Sequence, residues 1–367
     1  MRSYSQLTAM LAITKASLRS IFRSPSAVIF SIAFPLIFIL VFGFLSSGGN
    51  INVTVAMDKN ADTLNPVYTA IKQIPGFNFF QADTSKIKSE LSKGRITALI
   101  SIQKSTNLNA PYTIQLTSSE AANPQNIQLV KSILNAVISK LNQENFVGIP
   151  TMATVNNTIQ KVPGRVYRTI DFVLPGQLGF SLLSAGVFGV AFLFFNLRQQ
   201  LVLKRFYATP IRRLYIILGE ALSRVLFQLL TAIIIIGIGH FAFKFTLVHG
   251  WITFANIMAL SFIALLLFMG FGFIVSGVAK NESSIPPFAN LITLPQFLLA
   301  GTFFSIDNFP SWMQPFCKIL PLTHFNNAMR NISFEGASLA SQWPDISFLL
   351  IWIIVVYALA FKIFKWE

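Results

Sequence analysis

The stretch Ala27 to Leu45, AVIFSIAFPLIFILVFGFL, decides the fold, because it carries no charged side chain. The hydrocarbon core of a bilayer is about 30 Å thick and is crossed by roughly 20 apolar residues of helix. The stretch has about that length, and Ser-Ser-Gly-Gly follows it instead of a small-x-small cleavage site. It therefore predicts a retained transmembrane helix over residues 27–45 rather than a signal peptide.

Five further apolar segments follow and predict five more transmembrane helices. They run from about Phe172 to Phe195, Leu214 to Phe241, Ile252 to Ala279, Ile285 to Phe304 and Ile346 to Phe364. The composition agrees, because 53% of the 367 residues are hydrophobic and 11% are charged, whereas about 25% are charged in a typical soluble domain. An ordinary soluble protein is excluded.

Lysine and arginine predict the orientation. The net charge is +15, and the basic residues flank the apolar runs, so a membrane rather than a nucleic acid accounts for them. They concentrate before the first predicted span, between the second and third, and after the last, whereas the opposite short loops hold Lys244, Lys318 and Arg330. By the positive-inside rule, both termini are cytoplasmic.

The long segment after the first span, residues 46–170, is then extracytoplasmic. Strands are predicted at 51–57, 77–81, 96–102 and 112–117, and helices at 62–74, 84–93 and 126–145. Thr84 is the predicted cap of the second helix and Gly94 its stop. The fold class is a mainly α membrane protein with six transmembrane helices, one before and five after an inserted α/β domain. Residues 171–367 hold the last five.

Residues 1–26 predict an amphipathic helix. Its apolar positions at helical spacing are Leu7, Met10, Leu11, Leu18, Ile21 and Phe22. Lys15, Arg19 and Arg23 recur every four residues on another face. Such a basic helix lies in the membrane interface in contact with lipid, and the alternative is an ordinary cytoplasmic cap helix.

The segment 197–214, between the second and third spans, mixes basic and aromatic residues. The residues singled out here are Lys204, Arg205, Phe206, Thr209, Pro210, Arg212 and Arg213. Thr209-Pro210 predicts a helix start, with Thr as the cap and Pro as the first helical residue. Positive-inside charge is the simpler explanation, and a docking surface for a cytoplasmic partner is the sharper one.

Two further features lie in or near the predicted spans. Glu220 and Arg224 are four residues apart at the start of the third span and can pair on one helix face. The pair is either structural or part of a relay of movement from the preceding loop. Residues 305–343 hold apolar patches too short to span, including Pro321, and predict short re-entrant or interfacial helices on the external side.

The arrangement resembles the permease subunits of ATP-binding-cassette (ABC) exporters of the type-2 class. Lys204 to Glu220, KRFYATPIRRLYIILGE, resembles the family's basic segment, Ala-Thr-Pro turn and Gly-Glu at the next span. Leu320 to Gly336, LPLTHFNNAMRNISFEG, resembles its Pro-Leu-Thr, Arg and Gly before the last span, which singles out Pro321, Arg330 and Gly336. Val53 to Asp58 and Leu91 to Gly94 resemble its external domain.

The resemblance implies that this chain pairs with a second permease, a copy or a paralogue, in the bacterial plasma (inner) membrane. Residues 197–214 would form the coupling loop to a separate ABC ATPase subunit, with the N-terminal helix beside it. That ATPase would bind the ATP and Mg²⁺, since this chain lacks the Gly-x-x-x-x-Gly-Lys-Ser/Thr phosphate loop. A periplasmic adaptor is a further candidate partner.

No catalytic residue, metal site or resident cofactor is predicted. The chain has one cysteine and three scattered histidines, and none has the spacing of a metal site. The phenylalanine-rich spans are compatible with an amphipathic or lipid-like cargo and equally with packing. Two alternatives to the exporter remain: a secondary transporter driven by an ion gradient, and a membrane-anchored scaffold that acts through its external domain.

Overall fold

The apolar stretch Ala27 to Leu45 lies within a helix. The computed structural model describes residues 5–23, 25–45, 53–58, 61, 65–74, 77–104, 112–144, 153–156, 159–164, 168–199 and 210–363. Helix α1 is Gln6–Phe22, and α2 is Pro25–Leu45 with Pro35 inside it. The chain divides into two units, Ser46–Arg168 and the remainder, Met1–Leu45 with Thr169–Glu367.

The first unit is the α/β region expected from the alternating pattern. Its elements in chain order are β1 Val53–Met57, α3 Pro66–Lys72, β2 Phe77–Phe79, α4 Thr84–Ser92, β3 Ala98–Lys104, β4 Tyr112–Ser119, α5 Pro124–Glu144, β5 Ala153–Val155 and β6 Gln160–Val162. The sheet order is β2-β1-β3-β4-β5, with β6 also paired to β4. Strands β1, β2 and β3 are parallel, and β4 is antiparallel to β3. The two short strands β5 and β6 were not predicted.

The two faces of this sheet are covered by different helices. One core contains β1 residues such as Val55 together with α3 and α5 residues, including Ile71 and Leu134. The other contains Ala56 with Ile87 and Leu91 of α4. Helix α4 stops before Gly94 as predicted, and Gly94 has a φ of 75°. The predicted N-cap is wrong, because Asp83 is the N-cap and Thr84 is the first helical residue.

The second unit contains the long apolar helices. These are α6 Thr169–Gln199, α7 Arg213–Phe243, α8 Trp251–Val278 and α9 Ile285–Leu299. The later helices are α10 Gln314–Ile319, α11 Pro321–Arg330 and α12 Trp343–Ile363, with a π turn at Asn331–Glu335. Among the described residues, four helices are long and apolar enough to cross a membrane, at Thr169–Gln199, Leu214–Phe243, Trp251–Val278 and Ala340–Ile363. The mainly helical membrane fold is thereby confirmed.

The predicted fifth span is shorter than expected. Helix α9 has 15 residues and ends at Leu299, not Phe304. Gly301 then takes a φ of 70°, a left-handed conformation that reverses the chain and that glycine adopts without steric penalty. The short helices predicted between spans five and six are present as α10 and α11.

Helix α6 lies at the centre of the second unit. It packs against α2, α7, α8, α9 and α11, and Leu178, Leu182 and Val187 are fully buried. Phenylalanines of α2, α6 and the α9 region pack together: Phe34, Phe38, Phe180, Phe297 and Phe303. These five phenylalanines therefore pack helices against one another.

Candidate functional site

The predicted coupling loop is described only at its end. Lys204, Arg205, Phe206 and Thr209 lie outside the described residues. Pro210 lies in an exposed bend, and α7 begins at Arg213 with the exposed Arg212 as its N-cap. The expected helix start at Thr209-Pro210 is therefore wrong for Pro210, which lies three positions before the first helical residue, Arg213.

The end of this loop is held by a side chain of α1. The Gln6 amide nitrogen donates to the Pro210 carbonyl at 2.8 Å. Its amide oxygen accepts from the Arg212 backbone N–H at 3.0 Å. One glutamine thus satisfies the backbone on both sides of the bend before α7, where the first N–H groups of a helix have no partner of their own.

Further along, α1 lies against α7 through small and hydroxyl-bearing residues. The Thr14 hydroxyl shares its hydrogen between the carbonyls of Met10 and Gly219, both at 3.0 Å. A Cβ at Gly219 would lie 2.9 Å from the Met10 carbonyl oxygen, so only glycine permits this approach. Phe22 meets Phe227 edge to face, with ring centroids 5.5 Å apart. We call this set, from Gln6 to Phe22 with its partners on α7, the α1–α7 contact.

The carboxylate of Glu220 belongs to the α1–α7 contact. The Ser17 hydroxyl donates to Glu220 Oε2 at 2.7 Å, and the Ser223 hydroxyl lies 2.9 Å from Ser17 Oγ. Arg224 lies on the next turn, and its guanidinium approaches α6, with Nη1 3.0 Å from the Cβ position of Gly189. Arg224 Nε is buried and has no hydrogen-bond partner among the described residues. Glu220 and Arg224, which were predicted as a pair on one helix face, thus contact different neighbours. The Glu220 carboxylate accepts a hydrogen bond from α1, and the Arg224 guanidinium approaches α6.

The exposed face of α1 differs from the predicted apolar face. Leu7 and Leu11 are 60% and 56% exposed, and they continue in one i,i+4 row into Lys15, Arg19 and Arg23, all exposed. Met10 and Ile21, assigned to the same face as Leu7, are half-buried instead. The helix has two sides because its polar Gln6, Thr14 and Ser17 bind α7 and the residues just before it, which leaves the leucine-to-arginine row exposed.

A second polar cluster surrounds Arg330, the last residue of α11. Its guanidinium donates to the Phe172 carbonyl at 3.1 Å and to the Gly301 carbonyl. It also lies over the Phe172 ring, 3.7 Å from the centroid. One half-buried cation therefore joins the start of α6, the turn after α9 and the end of α11. We call these contacts the Arg330 cluster.

The carbonyls that Arg330 binds lie near two interruptions of regular helix. Pro175 inside α6 has no N–H and cannot serve as the intrahelical donor to the Asp171 carbonyl, one residue before Phe172, and Gly301 follows the end of α9. Nearby, Asn326 donates to the Ala300 carbonyl at 2.9 Å. In the membrane, backbone groups freed in this way need partners within the protein.

The other residues singled out from the same stretch have structural positions. Pro321 is the first residue of α11, where its missing N–H is harmless. Gly336 caps the π turn at a φ of 73°, and its carbonyl lies 3.2 Å from His249 Nε2. Asp171, in the first turn of α6, accepts from the Thr246 N–H at 2.7 Å and from the Thr246 hydroxyl at 3.0 Å.

Sequence reasoning missed Gln6, Thr14 and Ser17. Two signals were available. Gln6, Met10, Ile13 and Ser17 follow one another at helical spacing, and Gly219 and Ser223 form a small-x-x-x-small pair on α7, which is typical of close helix contacts in membranes. The prediction for α1 used its basic and apolar residues and not this polar face.

Comparison with known proteins agrees with this architecture. The family of ABC-2 family transporter proteins matches residues 25–362. The chain is 24% identical to ABC transporter G family member 20 of Dictyostelium discoideum, over 98% of this chain and 51% of that protein, so it spans about half the length of this relative. It is 24% identical to the probable multidrug ABC transporter permease YbhR of Escherichia coli (strain K12), over 74% of this chain and 72% of YbhR.

A relative of similar length also matches. The linearmycin resistance permease protein LnrN of Bacillus subtilis (strain 168) is 21% identical over 96% of this chain and 98% of LnrN. The family match covers residues 25–362, which include the Arg330 cluster and the α7 side of the α1–α7 contact but not α1. This multi-pass membrane protein is therefore a permease of the ABC-2 transporter family.

Proposed function

We propose that this permease forms half of the translocation path of an ATP-driven exporter and receives its driving motion through the α1–α7 contact. The observation that carries the proposal is the pair of hydrogen bonds from Gln6 to Pro210 and Arg212. They attach the end of the segment 197–214 to a helix that is itself fixed along α7. A displacement of this loop would then move α1 and α7 together.

The proposed source of the motion is a separate cytoplasmic ABC ATPase that binds ATP and Mg²⁺ and docks on the segment 197–214. Arg212 is exposed at the described end of this segment, and the neighbouring Arg205 and Arg213 add positive charge. Guanidinium groups suit such a surface because they bind carboxylates in a bidentate manner. A second permease, a copy or a paralogue, would complete the path.

We further propose that the cargo is an amphipathic or lipid-like compound. The names of two relatives, a probable multidrug permease and a linearmycin resistance permease, support export of small organic molecules. The apolar character of the helices that would line the path supports it too, since α8 carries no charged residue between Trp251 and Val278.

Charge reversal tests the docking assignment. We expect R205E/R212E/R213E to release the ATPase that co-purifies with the wild-type permease and to abolish permease-stimulated ATP hydrolysis. The matched control is K86E/K88E, a reversal of two exposed lysines on α4, which should leave both measurements unchanged. Retention of the ATPase by the triple variant would contradict the docking role.

The energy source separates this proposal from a gradient-driven transporter. In vesicles that contain permease and ATPase, cargo export should require hydrolysable ATP and should persist when an ionophore collapses the ion gradients. Export that continues without ATP and stops with the ionophore would favour the secondary transporter.

Cysteine labelling tests the proposed orientation, with both termini in the cytoplasm. Cys317, the one cysteine of the chain, is fully buried, and burial raises the pKa of its thiol, so its own reaction with maleimide should be slow. We expect T8C, on exposed α1, to be protected from an impermeant maleimide in whole cells. S132C, on the exposed side of α5, should react. Equal labelling of both would overturn the orientation.

A further inference from the structure

A cleft opens in the α/β unit beyond the carboxyl ends of two parallel strands. Met57 ends β1, and Phe79 ends β2. Helix α3 borders the cleft with Tyr68 and Lys72, and α4 borders it with Ile87. Its volume is about 190 Å³. In open α/β sheets, ligands bind in the crevice outside the carboxyl ends of the strands.

Most of the residues that line this cleft are apolar, and the cleft is open at the surface of the unit. Met57, Phe79 and Phe80 are half-buried, and Ile87 is buried, and these aromatic and aliphatic side chains line the opening. Small-molecule sites combine such walls with a few polar groups. A cavity of about 150 Å³ holds a benzene ring, so this cleft has room for one aromatic ring or a short acyl chain.

Lys72 gives the cleft its charge. Its Nζ lies 5.8 Å from the centre of the Tyr68 ring. Among the described residues, no carboxylate forms an ion pair with this ammonium group, and no acidic residue lines the cleft. A cation beside an apolar slot is complementary to an anion that carries an apolar tail.

We propose that this cleft is a binding site for a small amphipathic anion, with its ring or short acyl chain between Phe79, Phe80 and Ile87 and its carboxylate or phosphate on Lys72. The site belongs to the α/β unit alone. It therefore does not depend on the ATPase docking surface or on the direction of transport.

Fluorine NMR with para-fluorophenylpropionate tests the site in the full-length permease reconstituted in nanodiscs, with empty nanodiscs as the measure of lipid partitioning. The wild type should bind this anion more tightly than the neutral para-fluorophenylpropionamide. K72Q should weaken binding of the anion about tenfold, the loss expected for one charge-assisted hydrogen bond, and should leave binding of the amide unchanged. K88Q, on exposed α4, is the matched control and should bind both probes as the wild type does.

A second variant tests the apolar slot. A82W places an indole in the cleft and should abolish binding of both probes while the thermal unfolding transition is retained. Equal affinity of K72Q and wild type for the anion would overturn the proposal, as would binding of the amide as tight as that of the anion. Binding that survives in a folded A82W would place the probe elsewhere and would equally overturn it.

Discussion

The Arg330 cluster and the α1–α7 contact join helices in different ways. In the first, one cation binds the backbone carbonyls of Phe172 and Gly301, close to Pro175 inside α6 and to the turn after α9. In the second, both helices are regular, and hydroxyls reach across a close approach at Gly219. The cluster ties three elements to one another through a single side chain, whereas the contact spreads over four turns of α1.

This difference predicts different tolerance to change. A guanidinium that satisfies two carbonyls cannot be replaced by a neighbour, so its loss leaves buried acceptors unpaired. A contact built from several weak bonds loses them one at a time, and hydrogen bonds between membrane helices contribute only about 0.6 kcal/mol each on average. The Arg330 cluster is suited to hold a fixed geometry, and the α1–α7 contact is suited to transmit a displacement.

The largest effect is expected for R330A. Two carbonyls would lose a charged donor and the Phe172 ring would lose its cation, so the free energy of unfolding should fall by about 2–4 kcal/mol. Unfolding in mixed micelles, followed by tryptophan fluorescence, would measure it. The control is R198A, because Arg198 also ends a helix but donates to one carbonyl, that of Ala279, at 3.0 Å.

R198A should therefore lower the free energy of unfolding by only about 0.5–1.5 kcal/mol. Equal losses in the free energy of unfolding for R330A and R198A would contradict the stronger stabilisation that we assign to the Arg330 cluster.

A smaller effect is expected for G219V, which breaks the close approach in the α1–α7 contact. The new side chain would meet the Met10 carbonyl and Ile13, and overpacking of this kind costs about 1–3 kcal/mol. ATP hydrolysis that no longer responds to cargo would show that the link, and not only the fold, is damaged. G237V lies on the same helix with nothing within 4 Å of its Cβ, and it should behave as the wild type; equal damage by both variants would argue against the contact.

The smallest effect is expected for S17A, which removes one bond to Glu220 and lowers the free energy of unfolding by about 0.5–1.5 kcal/mol. In a double-mutant cycle with E220A, the coupling energy should be about 0.5–1 kcal/mol, in the range typical of such bonds. S20A, an exposed serine on the same helix, serves as control. A coupling energy of zero would mean that the 2.7 Å contact between Ser17 and Glu220 contributes nothing to the link.

The fold was largely predictable from the sequence because its signals are local. Runs of apolar residues located α2, α6, α7, α8 and α12, and the alternating pattern located β1 to β4. The prediction was wrong where a single residue changes the backbone: Gly301 ends α9 early, and Pro210 precedes α7 instead of starting a helix. These outcomes depend on what surrounds the residue, which periodicity does not report.

The candidate site was predictable only in part. Resemblance to the family pointed to Arg330 and Glu220 but not to their partners. Phe172 lies 158 positions from Arg330, and Ser17 lies 203 positions from Glu220. No pattern within one segment specifies such pairs, because each is created by the packing of separate helices.

The sequence by itself determined that this chain is a multi-pass membrane protein with an inserted α/β unit, because hydropathy and strand periodicity are properties of contiguous residues, and its resemblance to a family indicated a permease. Only the tertiary structure decided that α1 presents its polar face to α7 and its leucine-to-arginine row outward, since an amphipathic helix has two faces and the partner of each is set elsewhere in the chain. It likewise decided that Arg330 binds the carbonyls of Phe172 and Gly301, because these acceptors come within its reach only where α6, α9 and α11 pack together.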